Sequence, residues 1–148
     1  MATPIDVFVQ TPAPGTESVP NPAPAIGRGV LIQLAKLSAI NLNAVAATTI
    51  FTTPAAGFTR CVVDQIVMDN FSGTPTTNAI SFGASATPTD WNPAVVLAGT
   101  AGVGKGLFLY PASNVGFAVY GTGIAFVANV TVGGAAITAD AAVWGYYE

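Results

Sequence analysis

The sequence contains no histidine and a single cysteine, which removes most of the common catalytic and metal-binding arrangements. Without histidine, neither a Ser-His-Asp nor a Cys-His site can form, and zinc sites built on histidine are excluded too. Cys61 allows no intrachain disulfide, and its place in an apolar run favours an inert core thiol. We therefore expect no enzyme activity, no cofactor and no metal site.

Charged residues are also scarce, at 7% of the chain against roughly 25% in ordinary soluble domains. The net charge is −3, and the four basic residues are scattered, whereas nucleic-acid backbones are bound by clustered Lys and Arg. A monomer so poor in charge would expose large neutral, apolar areas, which normally mark interfaces. We therefore expect burial in an assembly and no nucleic-acid partner. A monomer surfaced with Thr, Ser, Asn and Gly is the alternative.

Long apolar runs are missing as well. None reaches the roughly 18 residues that a membrane helix needs. The first residues also lack the basic-then-apolar order of a signal peptide. These patterns predict no membrane partner and synthesis in the cytoplasm.

The 16 glycines and 11 prolines break the chain into many short apolar runs, a pattern typical of an all-β sandwich or barrel. We predict a jelly-roll-like β-sandwich of about eight strands over residues 28–148, preceded by an extended N-terminal arm. The predicted strands cover residues 48–53, 58–71, 79–84, 94–98, 105–110, 114–120, 123–132 and 136–147.

Three segments of the domain need separate interpretation. Residues 58–71 are apolar at both odd and even positions, which predicts a central strand covered on both sides. Residues 28–40 permit either a helix or a strand, and the strand is slightly favoured. Residues 85–93 are rich in turn formers, so we predict a loop anchored by Trp91.

Residues 1–27 differ from the rest, because they hold six of the eleven prolines and no sustained apolar periodicity. This composition favours an extended, polyproline-type arm. Its tip carries a short alternating segment that could add a strand to the edge of a partner's sheet. A disordered tail is the alternative. The predicted partner-binding residues are Ile5, Val7, Phe8 and Val9.

Residues 99–105 (GTAGVGK) match the start of a phosphate-binding loop, GxxxxGK. The next residue should be Ser or Thr and should open a helix, but it is Gly106, followed by the strand-like LFLYP. We therefore predict a hairpin turn. We expect Asp90 and Asp140 to be solvated, with a cation at a subunit interface as the alternative.

Large aromatic residues form the remaining candidate site. In β-sandwiches such residues are more often core or subunit interface than carbohydrate platform. We predict a subunit interface, with a sugar-binding surface as the alternative. The candidate residues are Trp91, Tyr110, Tyr120, Trp144, Tyr146 and Tyr147.

The segment TTIFTTPAAGFTRCVVDQIVMDNFSG, followed by NAISFGASATPTDW, resembles small structural proteins of tailed bacteriophages. Those proteins share a layout of TTLYTVPAG, an apolar strand, N-x-SG and SFG. The similarity covers about residues 47–91 and extends more loosely to residue 148. At the turn, Ala56-Gly57-Phe58 replaces the Gly-Lys of the commoner form.

The resemblance implies a head decoration (cement) protein with a jelly-roll-like fold, often trimeric, and supplies no catalytic residues. On this hypothesis the chain lies on the capsid surface of the virion after synthesis in the host cytoplasm. Its partners would be the major capsid protein and further copies of itself. A tail, neck or fibre component that binds a host glycan and a jelly-roll capsid shell protein are the alternatives.

Overall fold

The computed structural model describes residues 31–112 and 118–148, and all regular structure in them is β-strand. The predicted arm, with Ile5, Val7, Phe8 and Val9, lies outside the described residues, as does most of the predicted strand 114–120. The strands are β1 (Ile32–Asn41), β2 (Ala47–Thr52), β3 (Cys61–Asp69), β4 (Ala79–Ala84), β5 (Thr87–Val96), β6 (Leu107–Leu109), β7 (Val119–Tyr120), β8 (Ala125–Val132) and β9 (Thr138–Tyr147).

The strands form two antiparallel sheets, ordered β1-β9-β3-β6 and β2-β8-β4-β5. The short strands β6 and β7 pair with opposite ends of β3 on one edge, so together they occupy one strand position. The pairings are nested, because β1 pairs with β9, β2 with β8, β3 with β6 and β7, and β4 with β5. Eight strand positions paired in this way across two sheets form a jelly roll. The predicted fold class is confirmed.

The structure confirms one segment prediction and contradicts another. The ambiguous segment 28–40 contributes β1, a strand that pairs with β9, so the preference for a strand is confirmed. The loop predicted for residues 85–93 is wrong, because most of it belongs to the ten-residue strand β5. Pro88 and Pro93 are tolerated there because β5 is the edge of its sheet, where a missing N–H need not break a ladder.

The side chains of the central strand β3 do not alternate regularly between the two faces of the sheet. Its register against β9 passes from Val63 to Gln65, which leaves Asp64 as the extra residue of a β-bulge. As a result Val63 and Ile66, which strict alternation assigns to opposite faces, are both fully buried. On the outer side of β3, Gln65, Val67 and Asp69 are only partly buried, so the covering predicted on both sides is incomplete.

Trp91 links the two sheets. Its ring is fully buried between Phe82 and Phe126, with centroid distances of 6.1 and 6.4 Å and nearly perpendicular planes. Its Nε1–H donates a 2.8 Å hydrogen bond to the carbonyl of Val63 in the opposite sheet. This bond satisfies the indole donor, which makes full burial of the ring favourable.

Gly145 lies where β9 passes between β1 and β3. A Cβ at this position would lie 2.0 Å from the Val62 carbonyl oxygen and 2.8 Å from the Leu34 side chain. Because the first neighbour is backbone, it cannot rotate away, and the strands would have to separate. Gly121 offers a matched comparison, since nothing lies within 4 Å of a Cβ there.

Replacing Gly145 by alanine should therefore lower the free energy of unfolding by about 3 kcal/mol or more, as overpacking against fixed backbone does. Gly121→Ala should not lower the free energy of unfolding. Urea unfolding followed by circular dichroism measures both. A Gly145→Ala protein as stable as the wild type would contradict the close approach of β9 and β3.

Candidate binding surface

The outer faces of the two sheets differ in chemistry. On the β2-β8-β4-β5 sheet, the central outward positions are small and polar. Asn129 donates to the Ser81 hydroxyl at 3.2 Å, and that hydroxyl lies 3.4 Å from the Asn129 carbonyl oxygen. These groups satisfy one another, so the centre of this face offers little apolar surface. Its exposed apolar side chains are Val96 and Val132, which both pair with Ala79 at the start of β4.

The β1-β9-β3-β6 sheet carries an aromatic and apolar outer face. Alternate residues of β9 enter the core as fully buried Ala139, Ala141 and Val143, so Trp144 and Tyr146 point outward. The neighbouring strands extend this surface through direct cross-strand partners. We call the set the aromatic face; it consists of Val67, Phe108, Val119, Ala142, Trp144 and Tyr146.

The most exposed side chains of this face lie at the β6–β7 edge. Trp144 and Tyr146 are partly buried, whereas Phe108 is 64% exposed and Val119 is 48% exposed. Tyr110, just after β6, is 57% exposed. We call Phe108, Tyr110 and Val119 the edge patch. Phe108 and Val119 pair with opposite ends of β3, so the patch runs along the whole edge. Exposed large apolar side chains along one sheet edge are typical of an interface.

The six aromatic residues predicted for a subunit interface lie partly in the core and partly at the surface. Trp91 and Tyr120 are 0% and 4% exposed, so they belong to the core and are removed from the candidate surface. Tyr147 is partly buried and packs on Phe58 with ring centroids 4.8 Å apart. Trp144 and Tyr146 lie on the aromatic face, and the exposed Tyr110 follows β6 at its edge.

Sequence reasoning missed Phe108 and Val119. Leu107 and Leu109 pack against the core, so the residue between them must point outward. That alternation in LFL is a signal that could have identified Phe108. Val119 lacks such a signal, because β7 is only two residues long and its pairing with β3 is set by tertiary structure.

One end of the aromatic face carries a charged cluster around Asp140. Its carboxylate accepts hydrogen bonds from the Ala39 backbone N–H at 2.9 Å and the Asn70 side chain at 3.3 Å. The Lys36 ammonium lies 3.5 Å away. The Ala39 bond is the largest of the contributions that lower the pKa of Asp140, and burial opposes them. Asp140 is 7% exposed, so the expectation that it is solvated is wrong.

Asp90 also has a structural role. Its carboxylate accepts hydrogen bonds from the Ala84 backbone N–H at 3.0 Å and the Tyr120 hydroxyl at 2.8 Å. Burial and the neighbouring carboxylate raise the pKa of Tyr120, which keeps its hydroxyl protonated as a donor. Asp90 is therefore partly buried and hydrogen-bonded, rather than solvated as expected.

The remaining candidates for chemistry are structural within the described residues. Burial raises the pKa of the Cys61 thiol to about 11, with a hydrogen bond to Tyr147 opposing it, so the thiol is protonated at neutral pH. Residues 99–106 connect β5 to β6 in the other sheet. They form a turn between sheets, and the predicted hairpin turn is wrong.

The described ranges, 31–112 and 118–148, contain no pocket and no group of three or more side chains suited to a metal ion. They also contain no helix long and apolar enough to cross a membrane. The candidate surface is therefore the outer face of a sheet rather than a cleft.

Compared with known proteins, the chain matches no family model, no curated protein and no solved structure.

Replacing Asp140 by asparagine should lower the free energy of unfolding at pH 7 by about 1–3 kcal/mol, because the acceptor loses its charge and the pairing with Lys36 is removed. The folded pKa of Asp140 lies below the unfolded value of about 3.9. Its contribution is therefore complete above that value and is lost as the pH falls through the folded pKa.

Urea unfolding of the wild type and Asp140→Asn between pH 7 and pH 2 measures this difference. The free energies of unfolding of the two proteins, plotted against pH, should converge only at the acid end of this range. Asp64→Asn is the control, since that side chain makes none of the three contacts with Ala39, Asn70 and Lys36. Its free energy of unfolding should fall by less than that of Asp140→Asn. A constant difference at every pH would contradict the electrostatic account.

Proposed function

We propose that the chain is a capsid decoration (cement) protein of a tailed bacteriophage, which self-associates and staples neighbouring capsid subunits. The observation that carries the proposal is a jelly-roll subunit with one aromatic outer face in a chain with only 7% charged residues. The resemblance of residues 47–91 to small phage structural proteins adds the viral context. A structural rather than catalytic role fits a sequence without histidine.

The edge patch is the proposed surface for self-association. Phe108 and Val119 lie on β6 and β7, which share one edge of β3. A patch at one edge can meet a different surface on the next copy, and such a heterologous contact closes into a ring when its rotation is threefold. A homotrimer is the state that the resemblance favours.

The arm is the proposed contact with the major capsid protein. Ile5, Val7, Phe8 and Val9 form a short alternating segment, a pattern that can add a strand to an exposed sheet edge. A decoration protein that binds only the assembled shell stabilises that shell by mass action. Several arms on one oligomer would act together, and this multivalency strengthens attachment without new contacts.

A glycan-binding virion component is the second candidate. Trp144 and Tyr146 are partly buried aromatics side by side on an open sheet face, a surface on which a sugar ring could stack. Gln33 and Gln65 flank Trp144 across the strands, but the exposed Phe108 and Val119 at the β6–β7 edge suit a protein contact better. Binding in a glycan-array screen by the full chain, and its loss in Trp144→Ala, would favour this candidate.

Sedimentation with capsids tests the decoration role. The full chain should co-sediment with capsids of the encoding phage and delay their disruption on heating. Replacing Ile5, Val7, Phe8 and Val9 by serine should abolish both effects, because the apolar tip is lost. Pro12 and Pro14 replaced by serine form the matched control and should still bind.

A full chain that neither co-sediments nor delays heat disruption would overturn the proposal. Closed particles formed by the chain alone would instead identify a capsid shell protein.

A further inference from the structure

The N-terminal segment joins the domain beside the most aromatic part of the outer face. In β1, Ile32 is opposite Gly145 and Gln33 is opposite Trp144. Leu31, one residue earlier, therefore stands next to the strand positions of Trp144 and Tyr146. Thirty residues precede Leu31 in the sequence.

The sequence just before this point has a composition that suits an aromatic surface. Residues 20–24 read PNPAP, with proline at every second position. Proline-rich segments prefer polyproline II geometry, which is extended and already ordered. They dock on aromatic side chains because little conformational entropy is lost and the flat rings pack together. Trp144 and Tyr146 supply such rings, and both are only partly buried.

We propose that residues 20–24 dock in polyproline geometry on Trp144 and Tyr146 of the same subunit. This contact fixes the base of the arm and leaves residues 1–19 to project from the domain. It deepens the proposed function for the arm tip, but the docking itself needs no capsid. The edge patch stays open for other copies, because it lies across the sheet at β6 and β7.

The connecting residues have enough reach for this contact. The six residues 25–30 span at most about 20 Å when extended, and a sheet of four strands is about 15 Å wide. Gly27 and Gly29 flank Arg28 in this connection, and glycine readily adopts the conformations that reverse a chain. A tether this short gives an effective concentration on the order of millimolar, which favours docking within one subunit.

The two tryptophans make the contact measurable by acrylamide quenching of fluorescence in the full chain. Trp91 is fully buried, so quenching reports mainly on Trp144. Replacing Pro20, Pro22 and Pro24 by serine should increase the quenching constant about twofold, because one face of the Trp144 ring becomes open to collision. The matched control, with Pro12 and Pro14 replaced by serine, should quench like the wild type.

Trp144→Phe in both backgrounds assigns the signal, since the difference between the proline variants should then vanish. The wild-type quenching constant should not change on dilution, as expected for a contact within one subunit. Equal quenching in the wild type and the triple variant would overturn the proposal. A quenching constant that rises on dilution would overturn docking within the same subunit. Neither measurement involves capsids, so failure here and failure of the decoration role are distinguishable.

Discussion

The structure depends on the position of β9 between β1 and β3, because a strand paired on both sides has no freedom in the direction of its side chains. Its inward residues are small: Ala139, Ala141 and Val143 are fully buried, and at Gly145 a Cβ would collide with the Val62 carbonyl. Its outward residues are then fixed as well, and they include Trp144 and Tyr146. The aromatic face is thus a direct consequence of how the core is packed.

Four of the eight charged residues in the described ranges form ion pairs that join segments distant in sequence. Lys36 pairs with Asp140, and Arg60 pairs with Glu148. The second pair reinforces backbone hydrogen bonds between residues 60 and 148, which tie the start of β3 to the end of the chain. With charged residues at only 7% of the chain and half of the described ones paired, neutral and apolar groups dominate the surface of the described residues. This is the physical basis for expecting burial of the edge patch in an assembly.

The fold class could be predicted because it depends on a pattern repeated along the whole chain, namely short apolar strands separated by Gly and Pro turns. Local departures from that pattern could not. The strand β5 contains Pro88 and Pro93 and is identified only when its edge position is known. The bulge at Asp64 changes which residues of β3 face the core, and pairing with β9 determines it.

The candidate surface was only partly predictable for the same reason. Composition alone does not separate Trp91, which fills the core, from Trp144, which lies on the aromatic face. The two differ in which side of a strand they occupy, and that depends on strand boundaries. Phe108 is recognisable from the alternation of its neighbours, whereas Val119 depends on a tertiary pairing with β3. The arm lies outside the described residues, so its role stays a prediction.

The most direct test of this account is the solution mass by light scattering of the full chain, a chain that begins at Gly29, and a full chain with Phe108 and Tyr110 replaced by serine. We predict an oligomer, most simply a trimer, for the first two proteins and a monomer for the third, because the edge patch carries the self-association. An oligomer that persists in the serine variant but is lost without the arm would place the subunit contact in the arm. A monomeric full chain would contradict the claim that the low charge and the edge patch mark a self-association surface.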